Sequence, residues 1–122
     1  SFNIRFNTLH TIKSLTKWIK KEFNKVGLKY KLETYVSGNA FITKPDKFSE
    51  LVKKCVKKVT KKTPKYTTTG GTSDARFIKD YTNVVEFGLV GKTMHTNNEK
   101  VSLKDLKNLT KIYKLILEEY FK

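Results

Sequence analysis

Seven residues decide the predicted fold class: Val84-Val85-Glu86-Phe87-Gly88-Leu89-Val90. This run is the most apolar stretch of strand length in the chain, and Glu86 is its one charged residue. A strand that is buried on both faces reads as such a continuous apolar run, and it is typical of a sheet covered by helices. The segment therefore predicts an α/β fold with a central strand here.

A glycine-rich turn lies upstream of this strand. Lys65 to Thr69 is predicted as a short strand, and Gly70-Gly71-Thr72-Ser73-Asp74 joins it to a short helix that ends near Tyr81. Backbone N–H groups at a strand-to-helix turn point outward and can bind an anion or a developing oxyanion. An ordinary turn whose serine or aspartate caps the helix explains the same residues. Both interpretations stay open at this point.

The loop that follows the central strand carries His95. It is polar from Gly91 to Glu99, and open α/β sheets place their sites at this end of a strand. A catalytic zinc takes about three protein ligands, so one imidazole does not hold it. The other histidine, His10, is interpreted as a surface residue. His95 is therefore either one ligand among partners from elsewhere or a solvated loop residue.

The N-terminal part predicts a strand-helix-strand unit. Phe2 to Asn7 alternates apolar and polar residues, Ile12 to Val26 has its apolar residues at helical spacing, and Leu28 to Val36 alternates again. A turn at Ser37-Gly38-Asn39 follows. The residue before Pro45 is biased away from helix, which predicts a domain boundary there.

Two longer helices are predicted after the boundary. The first runs from Lys47 to Thr60 behind an Asp46 cap, and its apolar stripe includes Cys55, which is interpreted as inert core. Ser102 and Asp105 predict a capping box for the second helix, which runs to the C-terminus. Its predicted buried face consists of Leu106, Leu109, Tyr113, Ile116 and Tyr120.

The net charge of +15 raises the question of a polyanion partner. Of the 26 basic residues 24 are lysines, and they are spread along the predicted helix faces instead of clustering. Proteins that recognise base edges rely on arginine forks. No specific nucleic-acid partner is therefore predicted, and a small basic polyanion-binding module is kept as an alternative function.

The two arginines, Arg5 and Arg76, stand out against so many lysines. An arginine in such a chain suggests a position that needs a rigid fork for a carboxylate. Arg5 lies on the polar side of its predicted strand and is a candidate for a substrate carboxylate. Arg76 is expected to form a structural ion pair.

The location of the protein is predicted from three features. No apolar run approaches the roughly 20 residues that cross a bilayer. The N-terminus lacks the pattern of a secretory signal, and one cysteine allows no internal disulfide. A cytoplasmic protein without a membrane partner is expected.

Taken together, these stretches resemble the C-terminal region of the bacterial succinyl-diaminopimelate desuccinylases, a family of dimetal amidohydrolases related to aminoacylases and carboxypeptidases. The resemblance covers nearly the whole chain. The segments that carry it are Phe2–Asn7, Ser37–Pro45, Thr69–Ile78, Val84–Gly88, His95 and Glu99.

The resemblance implies hydrolysis of N-succinyl-LL-2,6-diaminopimelate to succinate and LL-diaminopimelate, for lysine and cell-wall synthesis, by a cytoplasmic bacterial homodimer. It implies two zinc ions, or cobalt in their place, with His95 as a ligand of one. The residues that it places at the dicarboxylate substrate are Arg5, Ser37, Gly38, Asn39, Gly71 and Thr72.

The resemblance also implies a domain division. Residues 1–44 would be the second half of a lid and dimerisation domain, and residues 45–122 would be the αβαβα end of a zinc-amidohydrolase catalytic domain. The catalytic glutamate and the remaining metal ligands of the family lie outside this chain. The chain alone is therefore expected to be inactive, and whether it binds metal stays open. A purely structural or dimerisation role is the remaining alternative.

Overall fold

The computed structural model describes residues 1–69 and 73–122, and these residues form four helices. They are α1 (Ile12–Val26), α2 (Lys47–Thr60), α3 (Ala75–Ile78) and α4 (Leu103–Tyr120). No residue within those two ranges belongs to a β-strand. The predicted α/β fold is therefore wrong for this structure.

The four segments predicted as strands, at 2–7, 28–36, 65–69 and 84–90, are irregular. Their side-chain pattern is that of strands, but a strand is stable only when its backbone amides pair with a neighbouring backbone. In the described part of the chain, the hydrogen bond recorded to the backbone of 84–90 is donated by the Tyr113 hydroxyl to the Phe87 carbonyl, at 2.7 Å. Helices joined by irregular segments thus take the place of the expected strand-helix-strand and αβαβα units.

Local chemistry sets both ends of α1. The Thr11 hydroxyl accepts from the Ser14 N–H at 3.1 Å, and the Ser14 hydroxyl accepts from the Thr11 N–H at 2.9 Å. This reciprocal pair is a capping box. Gly27 follows the last turn with φ 74°, the left-handed conformation that ends helices. The predicted helix is confirmed.

A small aromatic cluster forms on α1. Phe23 makes edge-to-face contacts with Phe2 and with Tyr30, at ring-centroid distances of 6.5 and 5.1 Å. The Tyr30 hydroxyl also donates to the Asn24 side chain at 2.9 Å. The segments before and after α1 therefore fold back onto the helix, whereas Trp18 on the same helix remains more than half exposed.

The main core lies between α2 and α4. Val85 and Phe87 pack against it from the irregular segment 84–90. Its buried members are Val52, Cys55, Val56, Ile112 and Ile116. The predicted face of α4 is partly wrong, because Ile112 is buried while Leu106, Tyr113 and Tyr120 are exposed.

Side-chain caps also begin α2 and α4. The Asp46 carboxylate accepts from the Ser49 N–H at 2.8 Å, and the buried Ser49 hydroxyl accepts from the Asp46 N–H at 2.7 Å. At α4 the Ser102 hydroxyl accepts from the Asp105 N–H at 3.0 Å and donates to the Asp105 carboxylate at 2.7 Å. The Asp46 cap and the predicted bounds of α2 are confirmed. At α4 the Ser102 cap is present, but the predicted capping box is not, because the Asp105 carboxylate accepts from the Ser102 hydroxyl and not from the Ser102 N–H.

The two packed groups of side chains lie in different parts of the sequence. The aromatic cluster on α1 comes from residues 2–30, and the α2–α4 core comes from residues 48–116. The domain boundary between residues 44 and 45 falls between them and stays a prediction. Among the helices of the described ranges, none is long and apolar enough to span a membrane.

Candidate functional site

The loop around His95 is built from three consecutive turns. The Met94 N–H donates to the Gly91 carbonyl, the Thr96 N–H to the Thr93 carbonyl, and the Glu99 N–H to the Thr96 carbonyl, each at 3.2 Å. Short-range hydrogen bonds of this kind give a loop a defined shape without a helix or a strand. His95 lies in a polar loop, as predicted, but the central strand that was expected to precede this loop is absent from the described residues.

His95 itself has an unusual backbone. Its φ is 63°, in the left-handed region, and its side chain is exposed. A residue other than glycine in this region carries a cost on the order of 1–3 kcal/mol, and such residues concentrate at functional sites. Lys61, which ends α2, has a similar φ of 61°, so this conformation identifies a turn at His95 and does not by itself identify a site.

A metal centre needs several ligating side chains close together. Within residues 1–69 and 73–122, no group of three or more His, Cys, Asp or Glu side chains comes together. His95 fits one ligand position, since an exposed imidazole at a loop tip is free to coordinate. These residues supply one ligand and not a complete centre.

The turn at Ser37-Gly38-Asn39 is exposed and lies against Arg76. A Cβ added to Gly38 would stand 3.2 Å from Cδ of Arg76, which is tighter than ordinary van der Waals contact. Glycine therefore allows this close approach of backbone to side chain. The structure thus brings one predicted substrate-binding turn next to α3.

Arg76 takes part in different interactions from those expected. Its guanidinium lies 4.6 Å from the centroid of the Phe77 ring, a cation–π geometry. Its Nε is buried and has no hydrogen-bond partner among the residues that the structure describes. The ion pairs formed among the described residues do not include Arg76, so the expected structural ion pair is not seen there.

Other predicted site residues remain apart or undescribed. Arg5 is exposed on the N-terminal segment, and its role at a substrate carboxylate stays a prediction. Gly71 and Thr72 lie outside the described residues, so the structure does not test their predicted contact with the acyl group.

An open groove of about 570 Å³ runs between the start of α3 and the segment 84–88. On its α3 side lie Ser73, Asp74, Ala75 and Ile78. The Ser73 hydroxyl accepts from the Ala75 N–H at 3.1 Å, whereas the Asp74 side chain makes no capping bond within residues 73–122. The interpretation of Ser73 as a cap-like turn residue is supported on this side of the glycine pair.

The resolved pKa shifts lie on α2 and α4, away from the loop of His95. A hydrogen bond from the Tyr66 hydroxyl lowers the pKa of Glu50, with Lys53 acting in the same direction and desolvation against it. Lys122 lowers the pKa of Glu119, and burial raises the pKa of the Cys55 thiol. These shifts accompany packing and surface ion pairs and do not indicate a catalytic acid or base.

Thr93 is a residue of this loop that was not predicted from the sequence. Its hydroxyl donates to the Lys100 carbonyl at 2.8 Å and accepts from the Lys100 N–H at 2.9 Å. One side chain therefore joins the entry of the His95 loop to its exit. The signal available in the sequence was weak, because a threonine in a polar loop is unremarkable until its partner is known.

Comparisons with known proteins give a consistent result. Peptidase family M20/M25/M40 matches residues 4–119. The chain is 53% identical to the succinyl-diaminopimelate desuccinylase of Pelagibacter ubique (strain HTCC1062), over 99% of this chain and 33% of that protein. It is 49% identical to succinyl-diaminopimelate desuccinylase 1 of Ruegeria sp. (strain TM1040), over 98% of this chain and 32% of that protein.

A third relative, the succinyl-diaminopimelate desuccinylase of Rhodospirillum centenum (strain ATCC 51521 / SW), is 50% identical over 98% of this chain and 31% of that protein. The chain thus spans about a third of the length of the curated relatives that it matches. What those whole proteins do therefore involves residues beyond the ones compared.

Proposed function

Because the chain belongs to peptidase family M20/M25/M40, we propose that it forms part of a desuccinylase acting on N-succinyl-LL-2,6-diaminopimelate. The amide C–N bond breaks, the hydroxyl of water goes to the succinyl carbonyl, and a proton goes to the departing amine. The products are succinate and LL-diaminopimelate, which serves lysine and cell-wall synthesis. The observation that carries the proposal is the identity of 49–53% to three desuccinylases over almost the whole chain.

The metal belongs to this proposal as well. Zinc, two ions per active site, supplies a Lewis acid that polarises the amide carbonyl and activates water. His95 would contribute one imidazole from its exposed position at the loop tip. The remaining ligands would come from the two-thirds of the relatives' length that this chain does not cover. A cytoplasmic homodimer is the state in which we propose that the complete site works.

Substrate recognition is assigned to residues that suit a dicarboxylate. Arg5 carries a guanidinium fork that pairs with a carboxylate through two parallel hydrogen bonds. The exposed turn Ser37-Gly38-Asn39 offers backbone and side-chain donors, and its contact with the Arg76 side chain on α3 supports this assignment. Gly71 and Thr72 are proposed to line the acyl group.

A chimera tests the proposal. In the Pelagibacter ubique relative, the segment that matches this chain is replaced by the 122 residues, and succinate release from N-succinyl-LL-2,6-diaminopimelate is measured with zinc present. The chimera is expected to be active, the 122-residue chain alone inactive, and the chimera with His95→Ala slower by at least about 100-fold. Loss of a group that only supports a metal ligand already costs roughly 10–100-fold.

The matched control is His10→Ala, since the other histidine of the chain lies just before α1 and has no assigned role. It is expected to leave turnover unchanged. A folded chimera without turnover, or one in which His95→Ala keeps full activity and zinc content, would refute the assignment. Robust turnover by the chain alone would show that its site is complete.

A further inference from the structure

The loop of His95 is closed by one side chain. The Thr93 hydroxyl both donates to the Lys100 carbonyl and accepts from the Lys100 N–H, at 2.8 and 2.9 Å. Thr93 is half-buried, although its neighbours in the loop are exposed. Because a hydroxyl has one proton and two lone pairs, it can satisfy both backbone groups of one residue at the same time. Through this one side chain, Thr93 therefore pairs with the backbone of Lys100 across the loop.

The backbone carbonyl of Thr93 also forms hydrogen bonds around His95. The Thr93 carbonyl accepts from the Thr96 N–H at 3.2 Å and from the Thr96 hydroxyl at 2.8 Å. These bonds enclose Met94 and His95 in a tight turn, in which His95 takes its left-handed φ of 63°. An unfavourable backbone conformation persists only where the surrounding structure over-determines it. The Thr93 carbonyl accepts both of the hydrogen bonds that close this turn around Met94 and His95.

We propose that Thr93 is a positioning residue for His95. Its hydroxyl keeps the loop closed across Lys100, and its carbonyl holds the turn that presents the imidazole, so that the ring is in place before its metal arrives. The inference rests on the proposed function only in taking His95 as a metal ligand. Groups preorganised by their surroundings lose less freedom on binding, so the closed loop raises metal affinity and turnover together.

The test uses Thr93→Val and Thr93→Ser in the chimera described above. Valine keeps the branched shape and removes the hydroxyl, whereas serine keeps the hydroxyl. The matched control is Thr110→Val, which removes a hydroxyl that donates to the Leu106 carbonyl at 3.1 Å on α4. Zinc affinity is measured by competition with a chromophoric chelator, and hydrogen exchange of the Lys100 amide is measured on the metal-free protein.

Thr93→Val is expected to speed exchange at Lys100 and to weaken zinc binding about 10–100-fold, as loss of a ligand-orienting group does. Thr93→Ser and Thr110→Val are expected to stay within about threefold of the parent, a smaller change than that range. Thr93→Ala is a second variant for which the same result is expected. It is used in place of Thr93→Val if the apolar valine side chain disturbs folding.

Two outcomes separate this inference from the proposed function. If His95→Ala weakens zinc binding while both Thr93→Val and Thr93→Ala bind zinc like the parent, the positioning role is refuted and the function stands. An unchanged exchange rate at Lys100 in both variants would overturn the loop closure itself, whatever the activity of the chimera.

Discussion

Cys55 shows how a single residue obtains its properties from its packing. It is 3% exposed in the core between α2 and α4, and its position on the apolar stripe of α2 was predictable from helical spacing. Burial raises the pKa of the thiol, Glu119 adds to that effect, and Lys58 opposes it. Since the thiolate is the nucleophile, the folded chain keeps this cysteine in its unreactive form.

The first prediction concerns this thiol. In the native chain Cys55 is expected to react with a chromogenic disulfide reagent at least about tenfold more slowly than in the urea-unfolded chain, because the buried thiol must be exposed first. One cysteine in the chain makes the reaction trace unambiguous. Equal rates in the two states would contradict the burial.

The raised pKa of Cys55 also makes the free energy of unfolding depend on pH. The unfolded thiol titrates near its ordinary value of 9.0 and the folded thiol above it, so the folded chain holds the proton longer. The stabilisation is complete below pH 9.0 and is lost as pH rises through the folded pKa. The difference in unfolding free energy between the parent and Cys55→Ala should therefore narrow above pH 9.0.

At the scale of the elements, the helices follow from their ends and their faces. Thr11, Asp46 and Ser102 all accept from a backbone N–H of the first turn, which local sequence can predict because partner and cap are three residues apart. The buried face of α4 was predicted less well. Its leucines, isoleucines and tyrosines form two overlapping stripes, and only the position of α2 decides that Ile112 faces the core.

Alanine substitutions at two separate glycines, Gly27 and Gly88, test the C-terminal end of α1. Gly27→Ala is expected to lower the free energy of unfolding by about 1 kcal/mol, because an L side chain is unfavourable at φ 74°. Gly88→Ala is the control, because an added Cβ meets no described residue within 4 Å at either position, and of the two glycines only Gly27 has a positive φ. Urea unfolding followed by far-ultraviolet circular dichroism measures both, and equal costs would exclude the backbone explanation.

The α2–α4 interface is tested by truncation on α4. Ile112→Ala is expected to lower the free energy of unfolding by about 2–5 kcal/mol, because Ile112 is 3% exposed and its truncation leaves a cavity among the buried side chains of the core. Leu117→Ala, on the same helix but 58% exposed, should cost less than about 1 kcal/mol. Similar values for the two variants in the same urea titration would contradict the described core.

At the scale of the whole molecule, what sequence could predict depends on distance along the chain. The helix ends and the polar loop of His95 depend on residues that are close together in the sequence, and both were predicted correctly. Strand pairing involves distant segments, and the apolar run 84–90 has the pattern of a strand without a ladder partner in the described residues. The pairing of Thr93 with Lys100 spans seven residues and leaves no periodic signal.

The net charge also belongs to this scale. The 24 lysines of the chain are distributed along the sequence. The chain should therefore bind polyanions without base recognition, and added salt should weaken this binding. The family match and the identities to three desuccinylases favour an amidohydrolase over a polyanion-binding module. The excess of lysine is thus a property of the surface and not of a site.

The position of Trp18 determines what an optical experiment on this chain observes. It is the one indole, and it lies on α1, apart from the α2–α4 core. Intrinsic tryptophan fluorescence therefore follows the surroundings of α1, while ellipticity follows all the helices. Melting curves recorded by the two signals coincide only if both parts unfold as one cooperative unit.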